Sequence, residues 1–255
     1  MPLVHGVLLF LAAMLAGAMN SVAGGGSFIS FPTLIFTGVP PIPANATSTV
    51  ALWPGSVAAI GAYGEKLPRN ARLLVPLTLS SLGGGLMGAL ILLRTPQATF
   101  MHLVPYLFLV ATLLFTFGKR LSQWLGAHAK ISGRLSWAAV SGAAVAQLFI
   151  AVYGGFFGGG IGILMLALLA MVRMEDIHSM NALKSLLAAA INGAAVVTFI
   201  VARAVFWPQA LVMIVGATLG GYGGASLAQK LDPRWVRAFV IVVGFSMTVY
   251  FLWRY

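Results

Sequence analysis

Apolar residues fill the chain in long blocks separated by short polar punctuation. The blocks run over residues 3–21, 28–38, 43–63, 73–93, 98–117, 136–157, 161–173, 180–202, 208–228 and 235–253. Crossing the hydrocarbon core of a bilayer as a helix takes about 20 apolar residues. Eight of the blocks reach or approach that length, whereas 28–38 and 161–173 fall well short. Each short block directly follows three consecutive glycines, Gly24, Gly25 and Gly26 in the first case and Gly158, Gly159 and Gly160 in the second. A glycine in a helix interior costs about 1 kcal/mol relative to alanine, so each triplet breaks a helix. Broken backbone at membrane depth is tolerated only where it is buried in protein or lines a wet cavity. The pattern therefore predicts an all-α polytopic membrane protein in which two spans are the short arms of broken, re-entrant-like hairpins.

The blocks fall into two similar halves. Asn45-Ala46 recurs as Asn181-Ala182 at an offset of 136, and Gly84, Gly85, Gly88 and Ala89 recur as Gly220, Gly221, Gly224 and Ala225 at the same offset. The glycine triplets repeat at an offset of 134. This predicts a first transmembrane repeat over 1–117, a polar basic linker over 118–134 and a second repeat over 135–255, each a broken hairpin followed by three transmembrane helices. Internal duplication of this kind is common in secondary transporters. The glycine faces at 84–88 and 220–224 read as sites of close helix packing. The block from Leu3 to Ala18 resembles a signal-peptide core, but the equivalent block before the second triplet argues that it is a retained membrane segment.

Charge sets the expected orientation. If each broken hairpin returns to its starting side, one side of the membrane holds Lys66, Arg69, Arg72, Lys119, Arg120, Lys130, Arg134, Arg173, Lys230, Arg234 and Arg237. The other then holds only Arg94, Arg203 and Arg254. If each pair made a single crossing, the cluster from Lys230 to Arg237 would face outward. The positive-inside rule favours the first arrangement, in which the two repeats are inverted.

Composition narrows the function. Of 255 residues, 60% are hydrophobic and 7% charged, so no segment is polar enough for a separate soluble domain. The net charge of +11 sits in short loops between apolar blocks, a membrane pattern rather than a nucleic-acid one. The chain has no cysteine, which excludes disulfides and thiolate metal sites. There is no Gly-x-Ser-x-Gly turn and no His-Glu-x-x-His helix, and no cofactor is expected.

The polar residues that remain inside apolar blocks are the candidate chemistry. After Pro40, Pro41 and Pro43, which pre-set a helix start, Asn45 reads as a cap or as the first member of a seam. At helical spacing, Asn45, Ser48, Thr49, Leu52 and Ser56 share one face, and Asn181, Lys184, Ser185, Ala188 and Asn192 occupy the same offsets in the second half. Hydroxyls and amides in such seams also hydrogen-bond neighbouring helices. Lys184 stands apart: an ammonium inside an apolar helix is costly unless paired or wet, so it reads as functional or as snorkelling to the helix end. Glu175 or Asp176 is either its carboxylate partner or an acidic helix start. The short arms beginning near Ser27 and Ile161 would aim helix N-termini, with free N–H groups, at the breaks. Asn20 and Ser27 would add side-chain contacts. A cation beside hydroxyls, amides and backbone donors suits a small anion.

The run from Gly24 to Leu34, Asn45 to Thr49 downstream, the second triplet 158–160, Leu219 to Ala225 and Leu227 to Leu231 resemble the TauE/SafE sulfite exporter family, over nearly the whole chain. Leu166 stands where the first repeat has Pro32 and the family's second repeat commonly has a proline. The resemblance implies transport of sulfite, sulfonates such as sulfoacetate or related anions across the bacterial cytoplasmic membrane. Glu65, Glu175, Asp176 and Asp232, the only acids, lie in loops or at block ends, so no mid-membrane carboxylate is available as a proton relay. His5, His102 and His178 are titrating candidates that lie near block ends. A membrane potential contributes about 2.3 kcal/mol per charge for each 100 mV, and an interior-negative potential drives anions outward. The expected function is export of a small sulfur-containing anion by alternating access. An anion channel, or an importer coupled to an ion, is the alternative. The expected partners are the anion and the lipid bilayer, with no nucleic acid, and small-residue faces allow a homodimer.

Overall fold

The computed structural model describes residues 2–22, 25–63, 67–68, 70–128, 136–172, 174, 176–228 and 233–255. Ten helices account for nearly all of them: α1 (Leu3–Val22), α2 (Ser27–Phe36), α3 (Pro41–Tyr63), α4 (Ala71–Arg94), α5 (Gln97–His128), α6 (Trp137–Phe156), α7 (Ile161–Met171), α8 (Ile177–Val201), α9 (Trp207–Ala228) and α10 (Pro233–Arg254). Each apolar block is a helix, and among the described residues there are no strands. α1, α4, α5, α6, α8 and α10 each contain a window long and apolar enough to cross a membrane, and α2 and α7 are the short apolar helices. The chain is a multi-pass membrane protein.

Local chemistry sets most of the boundaries. Pro41 and Pro43 occupy the first turn of α3, where a missing N–H costs nothing. Side-chain oxygens of Asn70, Ser136 and Asp176 accept N–H groups at the starts of α4, α6 and α8. Asn45 lies inside α3 and is not its cap. The largest departure from the apolar pattern is α5. Its apolar block ends at Phe117, yet the helix runs on to His128, into the stretch read as a linker. At about 1.5 Å per residue, 32 residues make a helix longer than a bilayer core of about 30 Å. The polarity change marks a solvent boundary, and nothing from Gly118 to His128 forbids the helix from continuing. Leu166 in place of a proline does not prevent α7 from forming as a short arm like α2.

Small residues fix the long helix pairs. α1 packs along α9 and α6 along α4. A Cβ on Gly220 would strike the Met14 carbonyl, and a Cβ on Gly84 would come within 2.6 Å of the Leu148 carbonyl. These two contacts correspond at the offsets of the sequence repeat. Gly85, Gly88 and Gly216 likewise sit against backbone of the facing helix. Gly85 abuts Ile191 on α8, and Gly88 abuts Val152 and Phe156 on α6. Gly84, Gly85, Gly88 and Gly220 are packing positions, as their spacing predicted, but they join helices from different halves; the surroundings of Gly224 are outside what the structure describes. α3 meets α9 as α8 meets α4, α2 meets α10 as α7 meets α5, and α3 and α8 pack on each other, as do α5 and α10.

Phenylalanines fill the middle. Phe31 lies within 6.4 Å, ring centre to ring centre, of Phe100, Phe108, Phe157 and Phe251. Phe28 sets its edge against Phe108 and Phe115. This cluster lies between the starts of the two short arms.

Candidate anion site at the two glycine breaks

At the first break, Gly24 lies outside the described residues. Gly25 adopts φ +89°, a left-handed conformation that L side chains disfavour. Gly26 caps α2 without a side chain of its own, and its N–H donates to Asn20 Oδ1 at 3.2 Å. Asn20 thus closes the turn between α1 and α2. A Cβ on Gly26 would strike the Ala16 carbonyl. Ser27 is half-buried in the first turn of α2. One turn on, the buried hydroxyls of Ser30 and Ser48 lie 2.6 Å apart, with Ser30 also donating to the Gly26 carbonyl at 3.2 Å. Ser30 is absent from the residues picked out in the sequence. Its three-residue spacing from Ser27 on the short arm is the signal that could have found it.

At the second break, the N–H groups of Phe157 and Gly158 both reach the Tyr153 carbonyl, at 2.9 and 3.3 Å, which ends α6. Gly158 and Gly160 adopt φ +84° and +77°, so glycine is required at both positions. Gly160 precedes α7 with no side-chain cap, and Gly159, Gly160 and Ile161 are buried. The first N–H groups of α7 therefore face protein interior without a side-chain acceptor, and a helix N-terminus carries a partial positive charge.

The polar seams meet these breaks from both sides. Asn45 Nδ2 donates across the halves to the Phe156 carbonyl at 3.1 Å. Ser48 belongs to the first break through Ser30. Thr49 turns back on its own helix, donating to the Asn45 carbonyl at 2.9 Å. On α8, Lys184 Nζ donates to Asn181 Oδ1 at 3.0 Å, and the Lys184 stem lies against Gly162 in the first turn of α7. Ser185 and Asn192 lie half-buried on α8. The structure thus brings Asn181 and Lys184 to the start of α7, Asn45 to the end of α6, and Asn20 and Ser48 to α2.

Asp176 is not the partner of Lys184. It is exposed and caps α8, accepting the Ser179 hydroxyl at 2.6 Å and the backbone N–H groups of His178 and Ser179 at 3.1 and 3.0 Å. The Ser179 hydroxyl first, and then the two amides, hold its carboxyl below the usual carboxylate range. Glu175 lies outside the described residues. Among the described residues Lys184 makes no ion pair, and its ammonium rests on an amide oxygen alone.

Two further contacts tie α3 to the second half. Trp53 Nε1 donates to the Ala189 carbonyl at 3.1 Å, and Phe206 N–H donates to Thr47 Oγ1 at 3.0 Å. Neither contact stood out in the sequence, because a tryptophan or a threonine in an apolar helix does not announce its partner.

The chain also has relatives among known proteins. The chain is similar to the probable membrane transporter protein of Haemophilus influenzae, 27% identical over 94% of this chain and 92% of that one. It is similar to the probable membrane transporter protein ORF9 of a Sinorhizobium species, 25% identical over 94% and 90%. It is also similar to the probable membrane transporter protein YfcA of Escherichia coli K12, 27% identical over 99% and 91%. No solved structure matches. The family model of the sulfite exporter TauE/SafE matches residues 9–251, and the chain therefore belongs to this family of membrane transporters.

Proposed function

We propose that the protein is a secondary transporter of the bacterial cytoplasmic membrane that exports a small sulfur-containing anion, sulfite or an organosulfonate such as sulfoacetate, by alternating access. The observation that carries this reading is the uncapped, buried helix start at Gly160 and Ile161 beside Lys184, whose stem lies against Gly162 and whose ammonium has no acidic partner among the described residues. Helix N–H donors and an unneutralised cation together match an oxyanion's charge and its several acceptors. Asn181 and Asn45 add amides at the same break. Gly25, Gly26, Ser27, Ser48 and Thr49 supply the matching face of the first half in this proposal. An interior-negative potential favours the export direction.

The reading includes two repeats, 1–117 and 135–255, of opposite orientation about the 118–134 linker. Helix directions support this. Phe10 meets Gly216 and Met14 meets Gly220, so α1 runs with α9. Thr47 meets Phe206 beyond the end of α8 while Trp53 meets Ala189 within it, so α3 runs against its counterpart α8. Gly25 meets Val240, Phe28 meets Gly244 and Phe36 meets Tyr250, so α2 runs with α10. These directions fit the arrangement in which each hairpin returns to its starting side.

Anion counterflow in proteoliposomes tests the function. Saturable exchange of sulfite or a small sulfonate that other members of the class compete is the expected result. Unsaturable flux would make the protein a channel, strict sodium- or proton-driven accumulation would make it a coupled importer, and no flux of any sulfur oxyanion would remove the substrate.

A further inference from the structure

We propose that the stretch of α5 from Phe108 to Gly118 is a mechanical coupler between the two glycine breaks, and that Arg237 is the positioning residue that holds it. The breaks are far apart in sequence and lie in different halves, yet both short arms reach this one stretch, α7 by packing along it and α2 through the Phe28 ring. The first arm touches it through Phe28, whose ring meets Phe108 at 5.3 Å and Phe115 at 5.6 Å. A Cβ on Gly25 would come within 3.0 Å of the Phe115 ring. The second arm touches the neighbouring face. A Cβ on Gly160 would lie 3.5 Å from the Ala111 backbone, and Ile163 fills the notch at Gly118 so fully that any Cβ there would overlap it.

Arg237 fixes this stretch from α10. Its Nε donates to the Phe115 carbonyl at 2.7 Å and its Nη2 to the Thr116 carbonyl at 3.0 Å. Carbonyls inside a helix already accept an N–H four residues on, so these two bonds do not rescue orphaned groups. They use the planar fork of a guanidinium to grip two successive carbonyls, which an ammonium cannot reproduce. The gripped carbonyls belong to Phe115, the residue that meets Gly25, and to Thr116, two residues before the Gly118 that meets Ile163. A shift of either arm must therefore move the same clamped turn, and close-packed contacts transmit such shifts in discrete steps.

The inference presumes that the breaks move during transport, as the proposed function requires, but its test uses no substrate. Because the chain has no cysteine, single reporters Ser27→Cys on α2 and Leu164→Cys on α7 can be labelled with a thiol reagent under conditions where the rate follows the open fraction. Coupling of the usual size predicts that Ile163→Val changes labelling at Ser27→Cys, and Phe28→Leu changes labelling at Leu164→Cys, each by about fivefold or more. Gly118→Ala serves as a second variant from the notch side. Arg237→Lys keeps the positive charge but not the fork, so it abolishes the cross-effects while leaving each variant's effect on its own arm. Variants that alter only their own arm overturn the coupler, and cross-effects that survive Arg237→Lys overturn the role of Arg237. Absence of sulfur-anion flux in the wild-type chain would strike the proposed substrate and leave these labelling results standing.

Discussion

Replacing Lys184 with methionine separates a binding cation from a structural one, because the two roles predict opposite signs for stability. The ammonium is part-buried and rests on a single amide oxygen at 3.0 Å. Removing one partner of a charge-assisted hydrogen bond costs about 1.5–3 kcal/mol. At about 1.4 kcal/mol per tenfold, Lys184→Met should weaken anion affinity by about 10- to 150-fold. The same change removes the cost of holding a charge in a dry environment, and methionine keeps most of the apolar stem against Gly162. Stability of the purified protein should therefore hold steady or rise. The assay is half-saturation in counterflow alongside thermal unfolding in the same detergent. Affinity within about twofold of wild type would show that the ammonium does not face the anion, and a fall in stability would show that its role is structural.

Three further outcomes follow from the packing, the break and the cap. Gly220→Val forces a branched side chain into the Met14 backbone and should destabilise the α1–α9 pair by about 1–3 kcal/mol, read by thermal unfolding; a wild-type midpoint would contradict the close approach. Ser30→Ala and Ser48→Ala each leave a buried hydroxyl short of its partner and should each cost about 1–3 kcal/mol, whereas the double variant should cost clearly less than their sum; simple additivity would mean that the 2.6 Å contact carries no coupling. The Asp176 carboxyl is held low by the Ser179 hydroxyl and the two N–H groups it accepts, so its support of α8 is fully present above the ordinary carboxylate range and is lost as pH falls through its lowered value. Protection of the His178 and Ser179 amides, taken relative to their intrinsic exchange rate at each pH, should fall only in that acidic window, and Asp176→Ala should erase that fall.

Much of this architecture could be read from one sequence because a bilayer admits few backbone solutions. With no water to satisfy N–H and C=O groups, an apolar block must be a helix, so ten blocks give ten helices with ends displaced by only a few residues in most cases. The breaks were equally legible: the left-handed φ at Gly25, Gly158 and Gly160 is a local property of glycine. So was the packing role of the glycine faces. What those faces pack against was not, since Gly84 touches Leu148 and Gly220 touches Met14 only because helices of different halves lie side by side. The end of α5 at His128 was missed because a fall in hydropathy signals leaving the membrane and carries no instruction to stop a helix.

The side-chain chemistry divides along the same line. The sequence by itself determined that Lys184 is a costly cation in an apolar helix and that two short arms begin at glycine breaks, because both follow from composition over a few turns. Only the tertiary structure decided that Asn45 holds the Phe156 carbonyl, whereas the Asp176 cap of α8 and the bond from Gly26 to Asn20 are local in the chain. The tertiary structure alone joined Ser30 to Ser48 and brought both arms to α5. Hydrogen bonds and ring contacts of this kind are short-ranged in space. Their partners are chosen by which helices the closed bundle brings within a few ångströms, a choice that no local stretch of the chain encodes.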